Sequence, residues 1–258
     1  MSLVRSRRSE IPMALVLAIL IAALAACSQN SRLKARCMSG DVTVCTQLGD
    51  MFATGKGVPR DMGRAAEMYE RACGGGAADV CNTLGEIYEK SGAIEGGVER
   101  STQMFQRGCD GGSSAGCLNL GLAFAAREDK VRAAGLYEKS CSGGWAPGCH
   151  QLAVSYEQGE GVAKDVTRAI GFYTQACDGE HVESCLAIGN LYAAGELVPR
   201  DMAAAIRMYG KALALHEQSC AAGSQNDCTE RDRIRNRIMI LSAAPPASPG
   251  ATKEGGVR

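Results

Sequence analysis

LGDMFATGKGVPRDMGRAAEMYERAC, residues 48–73, decides the fold. Leu48, Gly49 and Phe52 are spaced to share one face of an α-helix, and Ala65, Tyr69 and Cys73 recur every four residues on a second. Between the two runs lies GKGVPRD, whose glycines suit a turn and whose Asp61 can cap the helix that follows. The segment therefore reads as a helical hairpin, helix A then helix B, closed by a cysteine.

Outward from this stretch the pattern repeats. Cysteines occur in six pairs of equal spacing, Cys37/Cys45, Cys73/Cys81, Cys109/Cys117, Cys141/Cys149, Cys177/Cys185 and Cys220/Cys228. The first members of successive pairs are 36, 36, 32, 36 and 43 residues apart, a period that signals a solenoid of helical hairpins. After each second cysteine stand Leu84/Gly85/Tyr88, Leu120/Gly121/Phe124, Leu152/Ala153/Tyr156 and Ile188/Gly189/Tyr192, with a small residue in the middle that admits a close neighbour. Ahead of each first cysteine come Phe105, Tyr137 and Tyr173, preceded by the small residues Ser101, Ala133 and Ala169. Asp129 and Asp165 supply further caps, whereas Gly97 replaces the aspartate in the second repeat and predicts a weaker helix start there. The short repeat lacks the glycine-rich A–B turn. The long one inserts ALALHEQ, about two helical turns, so Asp201, Ala205 and Tyr209 keep the pattern.

Set beside CHQLAVSYEQGEGVAKDVTRAIGFYTQAC (residues 149–177), the opening stretch resembles a Sel1-like repeat, a relative of the tetratricopeptide repeat. The cysteines at each boundary narrow the likeness to the Hcp-like secreted cysteine-rich proteins, over about residues 37–228. The resemblance implies an all-α fold, a right-handed α-solenoid of about five disulfide-bridged αα hairpins plus a C-terminal capping helix. TERDRIRNRIMIL, with Ile234, Ile238 and Leu241 on one side and arginines on the other, fits that final helix. Each cysteine pair would bridge the end of a helix B to the start of the next helix A. Closing so short a loop contributes about 2.6 kcal/mol in the chain-entropy model. The rival is metal binding, but zinc sites separate paired cysteines by two to four residues, and the gap here is seven.

Thirteen cysteines suggest an oxidising compartment, and the N-terminus agrees. Arg5, Arg7 and Arg8 precede an apolar run of 16 residues that ends Leu24-Ala25-Ala26-Cys27. This resembles a bacterial lipoprotein signal peptide, in which Cys27 is lipidated and becomes the first mature residue; an ordinary cleaved signal is the alternative. Lipidation would leave twelve cysteines, all in the six pairs. Ser28 is not the aspartate associated with inner-membrane retention, so an outer-membrane anchor facing periplasm or cell surface is expected. The expected domains are a signal peptide at 1–26, a tether at 27–36, the solenoid at 37–242 and a disordered tail at 243–258.

Acidic and basic residues balance at 28 each, which gives no global attraction for nucleic acid. No catalytic residue, cofactor or metal site is expected. His150, His181 and His216 are scattered, without metal-ligand spacing, and read as helix-surface or helix-end residues. Resemblance to the Hcp-like class, whose relatives carry a β-lactamase or penicillin-binding label, makes Ser31-x-x-Lys34 a formal match to a nucleophile and its base. It lies in the expected tether, and neither Ser-Asp-Asn nor Lys-Thr-Gly occurs in the chain. The reading is thus an envelope interaction scaffold that binds a partner protein, peptide or peptidoglycan-related ligand, with a weak hydrolase as the alternative. Trp145, between two paired cysteines where other repeats carry small or polar residues, is the candidate contact residue.

Overall fold

The structure, a computed structural model, describes residues 30–90 and 97–243. The expected signal peptide, Cys27 and residues 244–258 of the expected tail lie outside the described residues. Among the described residues there are helices and turns, with no strand. The first helix, α1, spans residues 30–38. It is followed by α2 (Val42–Thr54), α3 (Met62–Gly74), α4 (Ala78–Lys90), α5 (Gly97–Asp110) and α6 (Ser114–Ala125). Then come α7 (Lys130–Ser142), α8 (Ala146–Gln158), α9 (Val166–Asp178), α10 (Val182–Ala194), α11 (Met202–Ala221) and α12 (Gln225–Ala243). Among the described residues these are five helical hairpins of an α-solenoid repeat, α2/α3 to α10/α11, preceded by one helix and followed by one. The chain forms two compact units, divided between Leu120 and Gly121.

Six disulfides tie consecutive helices: Cys37–Cys45, Cys73–Cys81, Cys109–Cys117, Cys141–Cys149, Cys177–Cys185 and Cys220–Cys228. Their Cα atoms lie 4.4–4.9 Å apart, ordinary bridging distances. The first cysteine sits in the last turn of one helix and the second in the first turn of the next. Three residues after each first cysteine the chain must adopt positive φ to reverse, at Gly40, Gly76, Gly112, Gly144, Glu180 and Gly223. Five of these are glycine, as the left-handed conformation favours. Glu180 (φ 65°) is the exception.

The amphipathic stripes read from the sequence face inward. Leu48, Leu84, Leu120, Leu152 and Ile188 are buried, as are Tyr69, Phe105, Tyr137, Tyr173 and Tyr209 opposite them. In the first unit, Cys73–Cys81 joins Tyr69, Leu84, Tyr88 and Met104 in one cluster, while Leu33 of α1 packs against Cys37, Val44, Cys45 and Leu48 in another. Burying one such large side chain contributes about 1.5–3 kcal/mol. Residues 30–36, which sequence places in the tether, are helical, and Leu33 packs on a core.

Each helix B ring lies against the small residue of its partner helix A. A Cβ added to Gly49 would stand 2.4 Å from the Tyr69 ring, to Gly85 2.5 Å from Phe105, to Gly121 2.6 Å from Tyr137, and to Gly189 2.7 Å from Tyr209. Close packing therefore requires glycine at these four positions. The Tyr69 hydroxyl donates to Asp50 at 2.7 Å and that of Tyr209 to Asn190 at 2.7 Å, in each case the residue after the glycine. In the α8/α9 hairpin Ala153 replaces the glycine, and the Tyr173 hydroxyl instead donates to Glu157, three residues further along, at 2.6 Å.

The helix B starts are built alike. Asp61, Asp129, Asp165 and Asp201 accept the backbone N–H three residues ahead at 2.8–3.1 Å. At that third position Arg64, Arg132 and Arg168 turn back over Phe52, Phe124 and Tyr156, with guanidinium carbons 5.7, 4.5 and 4.1 Å from the ring centroids. Arg100 covers Tyr88 at 5.7 Å in the hairpin without an aspartate. The seven-residue insertion extends α11 to 20 residues while Ala205 and Tyr209 stay fully buried.

Candidate functional site

Among the described residues, three surface cavities and two side-chain clusters stand apart from the repeat scaffold. In the first unit a cavity of about 350 Å³ is walled by Leu48, Phe52, Val58 and Met68, with Arg64 and Glu67 at its side. Ser31 and Lys34, on α1, also line it. They stand one helical turn apart, as an S-x-x-K pair would. In the second unit a cavity of about 290 Å³ lies beside Glu157, Asn190 and Leu197. A smaller one, about 190 Å³, lies among Leu122, Lys130, Tyr137, Gln151, Val154 and Glu160.

The structure brings together two histidines that are 31 residues apart in sequence. Nδ1 of His150 on α8 is 2.8 Å from the Ser184 hydroxyl, and Nδ1 of His181, just ahead of α10, is 3.0 Å from the same oxygen. The rings lie 4.6 Å apart, and His150 is 5.3 Å from the Tyr173 ring. Serine can donate one hydrogen bond and accept another, so the hydroxyl satisfies both imidazoles when both are neutral. Burial, with a smaller contribution from His181, lowers the pKa of His150 to about 4, against an opposing pull from Glu183. Burial likewise lowers that of His181. Ser184 is fully buried, so no substrate reaches its hydroxyl; the cluster ties α8 to α10. No helical spacing relates these histidines in the sequence, and only the stacking of one hairpin on the next makes them neighbours.

His216, contributed by the insertion in α11, bonds Asp227 of α12 at 2.6 Å. Ser224 and Asp227 cap the start of α12 reciprocally: the serine hydroxyl donates to the aspartate, and the Asp227 N–H donates to the hydroxyl. The Ser224 hydroxyl and then His216 hold the Asp227 carboxyl below its ordinary pKa. The serine faces the carboxylate rather than the imidazole, so this is a cap and not a nucleophile with its base. Trp145 stands immediately before α8, makes no side-chain cap and is 43 % exposed. Among the described residues no group of three His, Cys, Asp or Glu side chains is placed to hold a metal ion. No described helix is long and apolar enough to cross a membrane.

Helical hairpins of one period, each joint closed by a local disulfide, define a cysteine-bridged helical-repeat protein. The Sel1 repeat family matches residues 44–76, 114–145, 146–181 and 182–224, more than half of the chain, and the protein belongs to that family. The hairpin α4/α5, in which Gly97 stands in for the capping aspartate, falls between the matched segments. Among solved structures the chain is similar to a Sel1 repeat protein from Oxalobacter formigenes at 21% identity and TM-score 0.62, covering 78% of this chain and 89% of that one. It is also similar to c5321, a protective antigen of uropathogenic Escherichia coli strains with an SLR fold, at 22% identity and TM-score 0.67. That match covers 82% of this chain, which spans about half (48%) of the antigen. Cysteine-rich protein B of Helicobacter pylori aligns at 25% identity over 54% of this chain and 98% of its own, with a TM-score of 0.40. No curated protein matches the chain significantly.

Proposed function

We propose that this protein is a lipid-anchored interaction scaffold of the bacterial cell envelope, holding a partner protein on its repeat surface. The scaffold fold is that of the Sel1 repeats, which generally mediate protein–protein interaction. The observation that carries the envelope assignment is the set of six disulfides, one at every joint, which form and persist only under oxidising conditions. The apolar run ending at Leu24-Ala25-Ala26-Cys27 supports an export signal with Cys27 as the lipid-bearing residue, and Ser28 in place of an aspartate supports the outer membrane. The test is capture of partners from envelope extract with the full chain in detergent. Retention of a defined protein, lost when the disulfides are reduced, supports the scaffold. Failure to retain any protein above a bead control contradicts it.

One observation favours a second reading, a penicillin-binding hydrolase: Ser31 and Lys34 line the same cavity. A labelled penicillin decides it. A covalent adduct abolished by Ser31→Ala establishes the hydrolase, and absence of adduct leaves the scaffold.

A further inference from the structure

The hydroxyls of the helix B tyrosines are satisfied at Tyr69, Tyr173 and Tyr209 by an acceptor on the partner helix A. Tyr137 breaks this rule. The residue after its glycine is Leu122, which offers no acceptor, and the Tyr137 hydroxyl has no hydrogen-bond partner among the described residues. The side chain is nevertheless buried, with the whole residue 5 % exposed. No fully enclosed polar side-chain atom among the described residues lacks a partner, so the small exposure that remains includes the hydroxyl. Tyr137 is also one of the residues that line the 190 Å³ cavity.

That cavity has built walls. Leu122 and Val154 are apolar, and Leu122 is 41 % exposed, unusual for its size. Gln151 lines the cavity too and carries a second neutral polar group. At the rim Lys130 and Glu160 pair at 3.2 Å, and the Glu160 charge adds to the burial that raises the Tyr137 pKa. The turn carrying Glu160 is fixed against the start of α7: a Cβ at Gly161 would lie 2.0 Å from the Lys130 carbonyl oxygen. The volume exceeds the roughly 150 Å³ of an engineered cavity that admits benzene.

We infer that this cavity is a binding site for a peptide amide bearing an aliphatic side chain. The Tyr137 O–H donates to the peptide carbonyl, Gln151 accepts the amide N–H, and the side chain packs on Leu122 and Val154. A neutral amide suits a site whose two charges are already paired. The hydroxyls of a sugar would face the apolar wall unpaired, which is costly. This inference rests on the scaffold reading, for which it names the kind of segment the partner inserts.

The probe is N-acetyl-leucine N-methylamide, titrated into the full chain in detergent with its disulfides intact. Binding is followed by the ring signals of tyrosines carrying a carbon-13 label. Tyr137→Phe assigns the Tyr137 signal and keeps the ring on Gly121; an unchanged melting temperature shows that it folds. The expected result is a saturable shift of the Tyr137 signal. Followed through the Val154 methyls, binding to Tyr137→Phe is about fivefold weaker, one neutral hydrogen bond. Leu122→Ala weakens binding as well. The inference is overturned by no saturable shift, by equal affinity of Tyr137→Phe, or by N-acetylglucosamine shifting the same signal at lower concentration. Envelope capture separates the two readings. A partner retained equally by Tyr137→Phe and Leu122→Ala leaves the scaffold standing and removes this site. Probe binding without any captured protein keeps the site and removes the scaffold.

Discussion

Replacing Gly49 by alanine tests whether ring-on-glycine packing sets the hairpin geometry. The new Cβ would lie 2.4, 2.5 and 2.9 Å from three carbons of the Tyr69 ring, well inside van der Waals contact. Tyr69 is 4 % exposed and cannot swing into solvent. Overpacking of this kind costs about 1–3 kcal/mol. Displacing the ring also breaks its 2.7 Å bond to Asp50, worth about 1 kcal/mol at a partly exposed site. Alanine in a helix returns about 1 kcal/mol. The net is a loss of about 2 kcal/mol, read as a lower urea midpoint by circular dichroism with the disulfides intact. Gly171 is the control: it is also in a helix, but its added Cβ meets nothing within 4 Å, so Gly171→Ala gains about 0.5–1 kcal/mol. The α8/α9 hairpin suggests the rescue. There Ala153 is tolerated because Tyr173 bonds Glu157, so Ala53→Glu added to Gly49→Ala recovers about 1 kcal/mol. If Gly49→Ala and Gly171→Ala shift stability alike, the packing account is wrong.

Further outcomes are expected. Glu180→Gly removes the one non-glycine at the reversal of a cysteine loop and stabilises the chain by about 0.5–1 kcal/mol; a decrease in the urea midpoint would count against the loop geometry. Acidification weakens the tie between α8 and α10. The folded state holds His150 neutral down to about pH 4, whereas the unfolded chain takes up a proton near 6.5. The stabilisation is therefore complete above about pH 6.5 and is lost as pH falls towards 4. The full shift corresponds to about 3 kcal/mol, which solvent around a half-buried ring reduces to roughly 1–2. His150→Asn should flatten this part of the pH–stability curve, and an unchanged slope would refute the assignment. Reductant should lower the melting temperature sharply and a chelator should not; unfolding by chelator alone would overturn the structural role of the disulfides.

What was legible in the sequence was whatever repeats or acts locally. The cysteine spacing, the leucine or isoleucine three residues after the second cysteine of the first five pairs, the ring four residues ahead of Cys73, Cys109, Cys141 and Cys177, and the aspartate caps depend on one helix and its period. They read correctly through both a deletion and an insertion. The clasp in which Arg64, Arg132 and Arg168 cover the rings of the preceding helix had a local signal, arginine three residues after aspartate, but its target lies across the turn. His150 and His181 meet only because hairpins stack, and no spacing along one helix announces that. Residues 30–38 gave too short an amphipathic run to mark a helix, although Cys37 at its end occupies the same place as Cys73 in α3. The free hydroxyl of Tyr137 was invisible for a related reason. It is a vacancy left by Leu122, detectable only once the pairing of Tyr69 with Asp50 and of Tyr209 with Asn190 is known.

The central claim is an exported, lipid-anchored chain held in shape by local disulfides, and intact-mass spectrometry of the protein extracted from bacterial membranes tests it most directly. The account predicts a chain that starts at Cys27 and carries lipid. On reduction it should gain two hydrogens for each of the six disulfides. An unlipidated chain recovered from the soluble fraction, or a mass that reduction leaves unchanged, would contradict it.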